Sequence, residues 1–413
     1  MITRAARLAL LLFFAIRLLP AYSVLTHEAI IDTVWDTDLQ RLLLKKYPAA
    51  TPEQLLEAHG YAYGGAIIQD MGYYPFSSKL FSDLAHYVRS GDFIVSLLNG
   101  AQDVNEYAFA LGALAHYASD NEGHPIGVNR AVPLIYPKLR QKYGPRVTYE
   151  DDPAAHLKTE FGFDVVQVAN GKYAPKTYHD FIGFKVSKPL LERAFEDTYS
   201  LKMDDVFKSV DLALGTYRHT VSSIIPEMTK AAWSAKKKEI VQLQPGITRK
   251  KFLYNLSRAS YKKEWDGKYE RPGAGARFLA FVFRIVPKVG PFKALAFKPP
   301  NAEAEKLFIA SFNRTVDRYR QFLAEVRADR LTLANQNFDT GEPAREGEYK
   351  LADQTYLKLL EQLADTKLPV SEPLRSNILA YYRDPNEITS PKAREEFNAL
   401  QTNAAQLQRP EPQ

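Results

Sequence analysis

Residues 115–125 read Ala-His-Tyr-Ala-Ser-Asp-Asn-Glu-Gly-His-Pro and set His116, Asp120 and His124 four residues apart. On a helix, positions i and i+4 lie on one face, so His116 and Asp120 point into the same space. Gly123 and Pro125 predict that the helix ends there, leaving His124 on its last turn or in the loop beyond. An imidazole, a carboxylate and a second imidazole converging in this way suit Zn²⁺, which takes nitrogen and oxygen donors. His156 and Glu160 repeat the i, i+4 spacing after Asp151-Asp152-Pro153, an acidic run suited to a helix N-terminus.

Three further donors precede these pairs. His27 opens a helical pattern, Asp70 stands just before the aromatic turn Tyr73-Tyr74-Pro75-Phe76, and His86 lies within a short helical run. His27-Glu28 lacks the second histidine of a zincin helix. The chain has no cysteine, so any zinc is held by His, Asp, Glu or backbone. His59, His179 and His219 have no partners at metal spacing and read as structural.

Residues 1–21 read as a cleaved secretory signal: Arg4 and Arg7, an apolar run over Leu8–Ile16, then Pro20-Ala21. That run is too short to span a bilayer. Cleavage after Ala21 would give Tyr22 a free α-amine, which titrates near pH 8 in model peptides and, with its carbonyl, can chelate a metal. A secreted or periplasmic location follows. The formal charge of +6 includes the three arginines of this leader, which carries no acid; without them it is +3. That is too mild to imply nucleic acid.

The elements that would position these donors are helical. Ile31, Val34, Trp35, Leu39, Leu42 and Leu43 keep three- and four-residue spacing, Pro52 opens a second helix, and Asn105–His116 reads as a buried one. Gly60, Gly64 and Gly65 are no phosphate loop and let helices approach closely. From Lys236 the composition turns basic. The apolar, cation-punctuated stretch 277–298 is a candidate for membrane contact, weighed against a core segment with its charges outward. A plain helix is predicted over 301–335, a loop over 337–349, two shorter helices after it, and a mobile polar tail from about 385. No alternating strand pattern occurs, and the fold class is all-α.

The donors His27, Asp70, His86, His116, Asp120, His124, His156 and Glu160 exceed what one tetrahedral zinc needs. In order and type they resemble the zinc-dependent phospholipase C family, with its relatives the zinc-dependent single-strand nucleases and the catalytic domain of glycosylphosphatidylinositol-specific phospholipase D. The resemblance is strong over residues 22–160 and fades after about 235. It implies a multi-helix fold with three zincs: one on Asp70, His86, His116 and Asp120, a second on His124, His156 and Glu160, and a third on His27, the amine and carbonyl of Tyr22, and a bridging Asp120. It implies a helical catalytic domain over 22–235, while composition and patterning set apart a basic and apolar segment over 236–300, a helical region over 301–385 and a flexible tail over 386–413.

The implied activity is phospholipid hydrolysis at a membrane surface, with a metal-activated water attacking the phosphodiester and with Asp70 and Asp120 as the catalytic carboxylates. Two departures stand out. The family often begins with Trp where this chain has Tyr22. The short Asp120-to-His124 gap looks more like the phospholipase D pattern. Single-strand nuclease activity, phospholipase D-type cleavage and a zinc-stabilised membrane-associated protein without turnover are the alternatives.

Overall fold

A computed structural model of the chain describes residues 24–172, 184–221, 225–259, 296–366, 368–382 and 384–407. The first half is a run of helices: α1 Val24–Val34, α2 Gln40–Lys46, α3 Pro52–Gly65, α4 Lys79–Tyr87, α5 Ser90–Gly100, α6 Val104–Glu122, α7 Asn129–Ile135, α8 Pro137–Tyr143 and α9 Pro153–Asn170. Then follow α10 Lys188–Tyr199, α11 Met203–Val206, α12 Val210–His219, α13 Ile225–Leu243, α14 Arg249–Ala259, α15 Ala302–Arg327, α16 Lys350–Asp365, α17 Glu372–Tyr381 and α18 Pro391–Leu407. Between α15 and α16, β1 Gln336–Asn337 pairs antiparallel with β2 Glu342–Pro343. The fold is all-α, and these two-residue strands are its only sheet among the described residues.

Local chemistry sets the helix starts. Thr51 and Gln54 form a reciprocal capping box ahead of Pro52. The Asp103 carboxylate accepts from the backbone N–H groups of Asn105 and Glu106 at the start of α6. Asp152 accepts from the N–H of Ala155 at the start of α9.

Helix α6 is the axis of the molecule. From Glu106 to Asp120 every residue is buried, which requires neighbours all round. On one side α3 crosses it at a glycine contact. A Cβ on Gly65 would lie 1.9 Å from the Phe109 carbonyl oxygen, and one on Gly112 would lie 2.0 Å from that of Ala62. On another side α15 covers it, with the Tyr319 hydroxyl donating to the Leu111 carbonyl at 2.8 Å.

The C-terminal helices therefore share the core with the N-terminal ones. Phe109, Leu111, Tyr319, Leu323, Leu359, Ile378 and Phe397 belong to one buried cluster. A second cluster joins α7, α9, α13, α14 and the start of α15 through Val132, Phe163, Trp233, Phe252 and Phe308.

Two expectations are corrected here. After Glu122 the chain does not leave the helix. It widens into a π-helical turn, Gly123–Val128, and continues as α7. Gly123 stays right-handed helical, with φ −68° and ψ −47°, and Pro125 sits inside the widened turn. The tail beyond 385, expected to be mobile, carries α18, which packs through the buried side chains of Ala393, Phe397 and Leu400. The leader at 1–21 and the 277–295 part of the candidate membrane segment lie outside the described residues. Among the described residues no helix is long and apolar enough to cross a membrane.

Candidate metal centre

Six structural pieces meet around Asp120. The first turn of α1 carries His27, and α1 is docked on α9 by Asp164, which accepts from the Leu25 N–H at 3.1 Å and the Thr26 hydroxyl at 2.8 Å. A 3₁₀ turn, Ile68–Tyr73, carries Asp70, and α4 carries His86. Helix α6 supplies His116 and Asp120, the π-turn His124, and the first turns of α9 His156 and Glu160. All eight side chains lie in residues no more than 3 % exposed. π-turns recur at functional sites because one extra residue re-aims the side chains that follow. Here the widened turn carries His124 back over Asp120.

The two oxygens of Asp120 face different sets of imidazoles. Oδ1 lies 3.7 Å from His27 Nε2. Oδ2 lies 3.1 Å from His116 Nε2, 3.6 Å from His86 Nε2 and 3.8 Å from His124 Nε2. Asp70 Oδ1 is 3.3 Å from His86 Nε2. Glu160 Oε1 is 3.0 Å from His156 Nδ1 and 3.8 Å from His124 Nε2. Two donors about 2.0–2.1 Å from a shared tetrahedral zinc sit about 3.3 Å apart, so these separations would suit ligand atoms sharing an ion.

The polar accounting agrees. His116 Nε2, both Asp120 oxygens, His156 Nδ1, both Glu160 oxygens and Asp70 Oδ1 are buried and make no hydrogen bond among the described residues. Buried polar atoms are rarely left so, and a cluster of them facing inward fits cations. His27, His116 and Asp120 form one compact donor group, and Asp70, His86 and His116 another.

Each imidazole is held by its other nitrogen, which fixes the ring and the tautomer. His116 Nδ1–H donates to the Ala66 carbonyl at 2.9 Å, an acceptor brought within reach by the Gly65–Gly112 crossing. His86 Nδ1–H donates to the Ser82 carbonyl at 2.7 Å, and His27 Nδ1 meets Ser119 Oγ at 2.9 Å. His156 Nε2 meets Asn129 Oδ1 at 2.9 Å, and His124 Nδ1 meets Asp339 Oδ1 at 3.0 Å. Ser119, Asn129 and Asp339 were not expected from the sequence. Ser119 sits one residue from Asp120, whereas Asn129 and Asp339 carry no periodicity or spacing that marks them.

Without metal, charge is shared within the cluster. Burial pushes the Asp120 carboxyl up, but His116, His124 and His86 outweigh it and hold it well below the usual carboxylate range. Burial depresses His86, yet the neighbouring Asp120 and Asp70 carboxylates outweigh it and raise it to about 10. Burial likewise opposes His124, which Asp120 and Asp339 raise to about 9. His27 is driven well below its usual value by burial and then by His116. Burial raises Asp70.

The remaining histidines stand elsewhere. His59 faces Asp32 at 3.0 Å and stacks on Trp35 at 3.7 Å, and His219 ends α12. His179 and Tyr22, with its amine and carbonyl, lie outside the described residues. At the rim, the Tyr73 ring lies 5.8 Å from that of His86 and 6.4 Å from that of Tyr149, which in turn lies 5.8 Å from that of His156.

Comparisons with curated proteins and with solved structures found no match. Residues 26–208, which contain every one of the eight clustered donors, match the family model described as zinc dependent phospholipase C.

Proposed function

We propose that the chain is a zinc-dependent phosphodiesterase of the phospholipase C type, cleaving the phosphodiester of a membrane phospholipid. The observation that carries this reading is Asp120, whose two oxygens face four imidazoles at ligand-to-ligand spacing inside the segment matched by the family.

In this reading three zincs are held by the sets that the resemblance implies: Asp70, His86, His116 and Asp120; His124, His156 and Glu160; and His27 with Asp120 and the Tyr22 amine and carbonyl. Zinc supplies Lewis acidity, neutralising phosphate charge and making hydroxide available near neutral pH. The protein side chains do the rest. The outer hydrogen bonds keep one lone pair of each imidazole turned inward. Asp70 Oδ2 is assigned to orient the attacking water and take its proton. Asp120 spans two sides of the cluster with a fixed negative charge. Tyr73 and Tyr149 wall the reacting space, and burial of the donors excludes bulk water. Phe76, at φ 64° and 39 % exposed, presents an apolar ring on the turn beside them, suited to lipid contact.

The test is a substrate panel on the full chain with zinc quantified. Choline or ethanolamine phospholipid should release a diacylglycerol, with no cleavage of single-stranded DNA. Phosphatidic acid as the product would assign phospholipase D-type cleavage, and DNA cleavage alone would assign a nuclease. Stoichiometric zinc with no turnover of any phosphodiester would leave a metal-stabilised binding protein.

A further inference from the structure

We propose that Asp339, more than a hundred residues beyond the family-matched segment, is a positioning residue of the metal centre, acting on His124 directly and on His156 through Asn129. This rests on reading His124 and His156 as zinc ligands, but not on which phosphodiester is cleaved.

Asp339 sits on the connection between β1 and β2, only 2 % exposed. Its Oδ1 is 3.0 Å from His124 Nδ1, and its Oδ2 accepts from the hydroxyls of Tyr87 at 2.8 Å and Tyr349 at 2.6 Å. Its N–H donates to Asn337 Oδ1 at 2.9 Å. Its carbonyl accepts from Asn129 Nδ2 at 2.7 Å, and the other end of that amide, Oδ1, faces His156 Nε2 at 2.9 Å. One residue thus orients both imidazoles that face Glu160.

The acceptors differ in kind around the cluster. His116 and His86 are held by backbone carbonyls and His27 by a hydroxyl, whereas His124 is held by a carboxylate. A carboxylate behind a ligating imidazole fixes the tautomer and makes the ring a stronger donor, and removing such a partner typically lowers metal affinity about 10–100-fold.

The segment around Asp339 is built to hold it there. Asn335 Oδ1 accepts from the N–H groups of Gly91 and Asp92, both at 3.0 Å, at the start of α5. The hydroxyls of Tyr117 and Ser90 donate to the carbonyls of Ala334 and Gln336 at 2.8 and 2.6 Å. The Phe338 N–H donates to the His86 carbonyl at 3.2 Å, and its ring lies 5.1 Å from that of His86 and 5.9 Å from that of His116.

The experiment is a chelator titration of zinc from the full-length protein, comparing wild type with Asp339→Asn and Tyr349→Phe. Asp339→Asn should lose one zinc equivalent at about 10–100-fold lower chelator strength, with the other equivalents unmoved. Tyr349→Phe removes an anchor of the segment while keeping the carboxylate, and its zinc titration should follow wild type even if its melting temperature falls. Wild-type zinc affinities in Asp339→Asn, with or without a lower melting temperature, would overturn the proposal. Absence of zinc in the wild type would instead overturn the metal reading beneath it.

Should Asp339→Asn fail to fold, long-range ¹⁵N–¹H spectra of the wild-type zinc-loaded protein decide the matter, with His124→Gln used to assign the ring. His124 should carry its proton on Nδ1 and its metal on Nε2. A proton on Nε2, or metal on Nδ1, would overturn the assignment.

Discussion

Zinc loading should be a proton-releasing reaction, and the structure says which protons leave. In the metal-free protein His86 and His124 titrate at about 10 and about 9, because Asp70, Asp120 and Asp339 outweigh the burial that opposes their charge. At pH 7 both rings are therefore protonated. Zinc binds the neutral imidazole, so loading must expel both protons. His27, held well below its usual value, contributes none, and Asp120 is already ionised. At least about two protons per chain should leave near pH 7, and overall zinc affinity should rise about a hundredfold per pH unit below about pH 9 while both rings still titrate. The slope weakens between 9 and 10 as His124 stops contributing.

Stability should depend on pH in the metal-free form and not in the zinc-loaded one. Unfolded imidazoles titrate near 6.5, so above that pH the metal-free native state holds protons that the unfolded chain has lost. Its stability is fully present below pH 6.5 and falls towards pH 9–10, by about 1.4 kcal/mol per pH unit for each ring still protonated. The zinc-loaded protein carries no such protons and should be level over that range. Titration calorimetry in buffers of different ionisation enthalpy counts the protons, and melting curves with and without chelator between pH 6.5 and 9.5 read the slopes. Release of fewer than one proton at pH 7, or parallel stability slopes for the two forms, would refute the charge sharing argued here.

Asp120→Asn should reduce zinc content by more than one equivalent and phosphodiester turnover by more than about 100-fold, since both oxygens face ligand sets; unchanged metal content by elemental analysis would remove its bridging role. Gly112→Ala forces a Cβ to 2.0 Å from the Ala62 carbonyl. Overpacking of this kind costs about 1–3 kcal/mol, and it pushes α3 and the Ala66 carbonyl off His116. Lower thermal stability and weaker zinc retention are expected together, and a neutral Gly112→Ala variant in both assays would show that the crossing does not set the ligand.

The parts of the centre legible in the sequence were those whose donors repeat at helical spacing. His116 with Asp120, and His156 with Glu160, share a helix face by arithmetic alone. Asp70 and His86 belong to separate short elements, and only the family resemblance joined them to the others. His124 was seen but misplaced, because Gly123 and Pro125 signal a helix end as readily as they permit a π-turn. The signal for α18 was present, since Ala393, Phe397 and Leu400 keep helical spacing, but the charges of Lys392, Arg394, Glu395 and Glu396 conceal it. Asp339 left no local mark. It is one acid in a polar connection, and its partner His124 is 215 residues away in the chain. Its role depends on the Asn335 cap, the Tyr117 contact and the paired strands that steer it, none of which has a periodicity to read.

That dependence bears on where the working unit ends. A boundary at residue 208 or 235 would include every clustered donor yet expose the face of α6 that Tyr319 and Leu323 cover, and would leave His124 without its carboxylate partner. Buried imidazoles and carboxylates are tolerated only when their remaining polar atoms are satisfied and their rings are packed. Here the packing comes from α15 and Phe338, and the satisfaction comes from Asp339 and the Asn129 amide that it holds. The donors lie in the first part of the chain, but the rigidity that keeps them at ligand spacing is shared with residues 302–365. The C-terminal helices are thus a structural component of the candidate metal centre, joined to it through the hydrogen-bonded contact of Asp339 with His124.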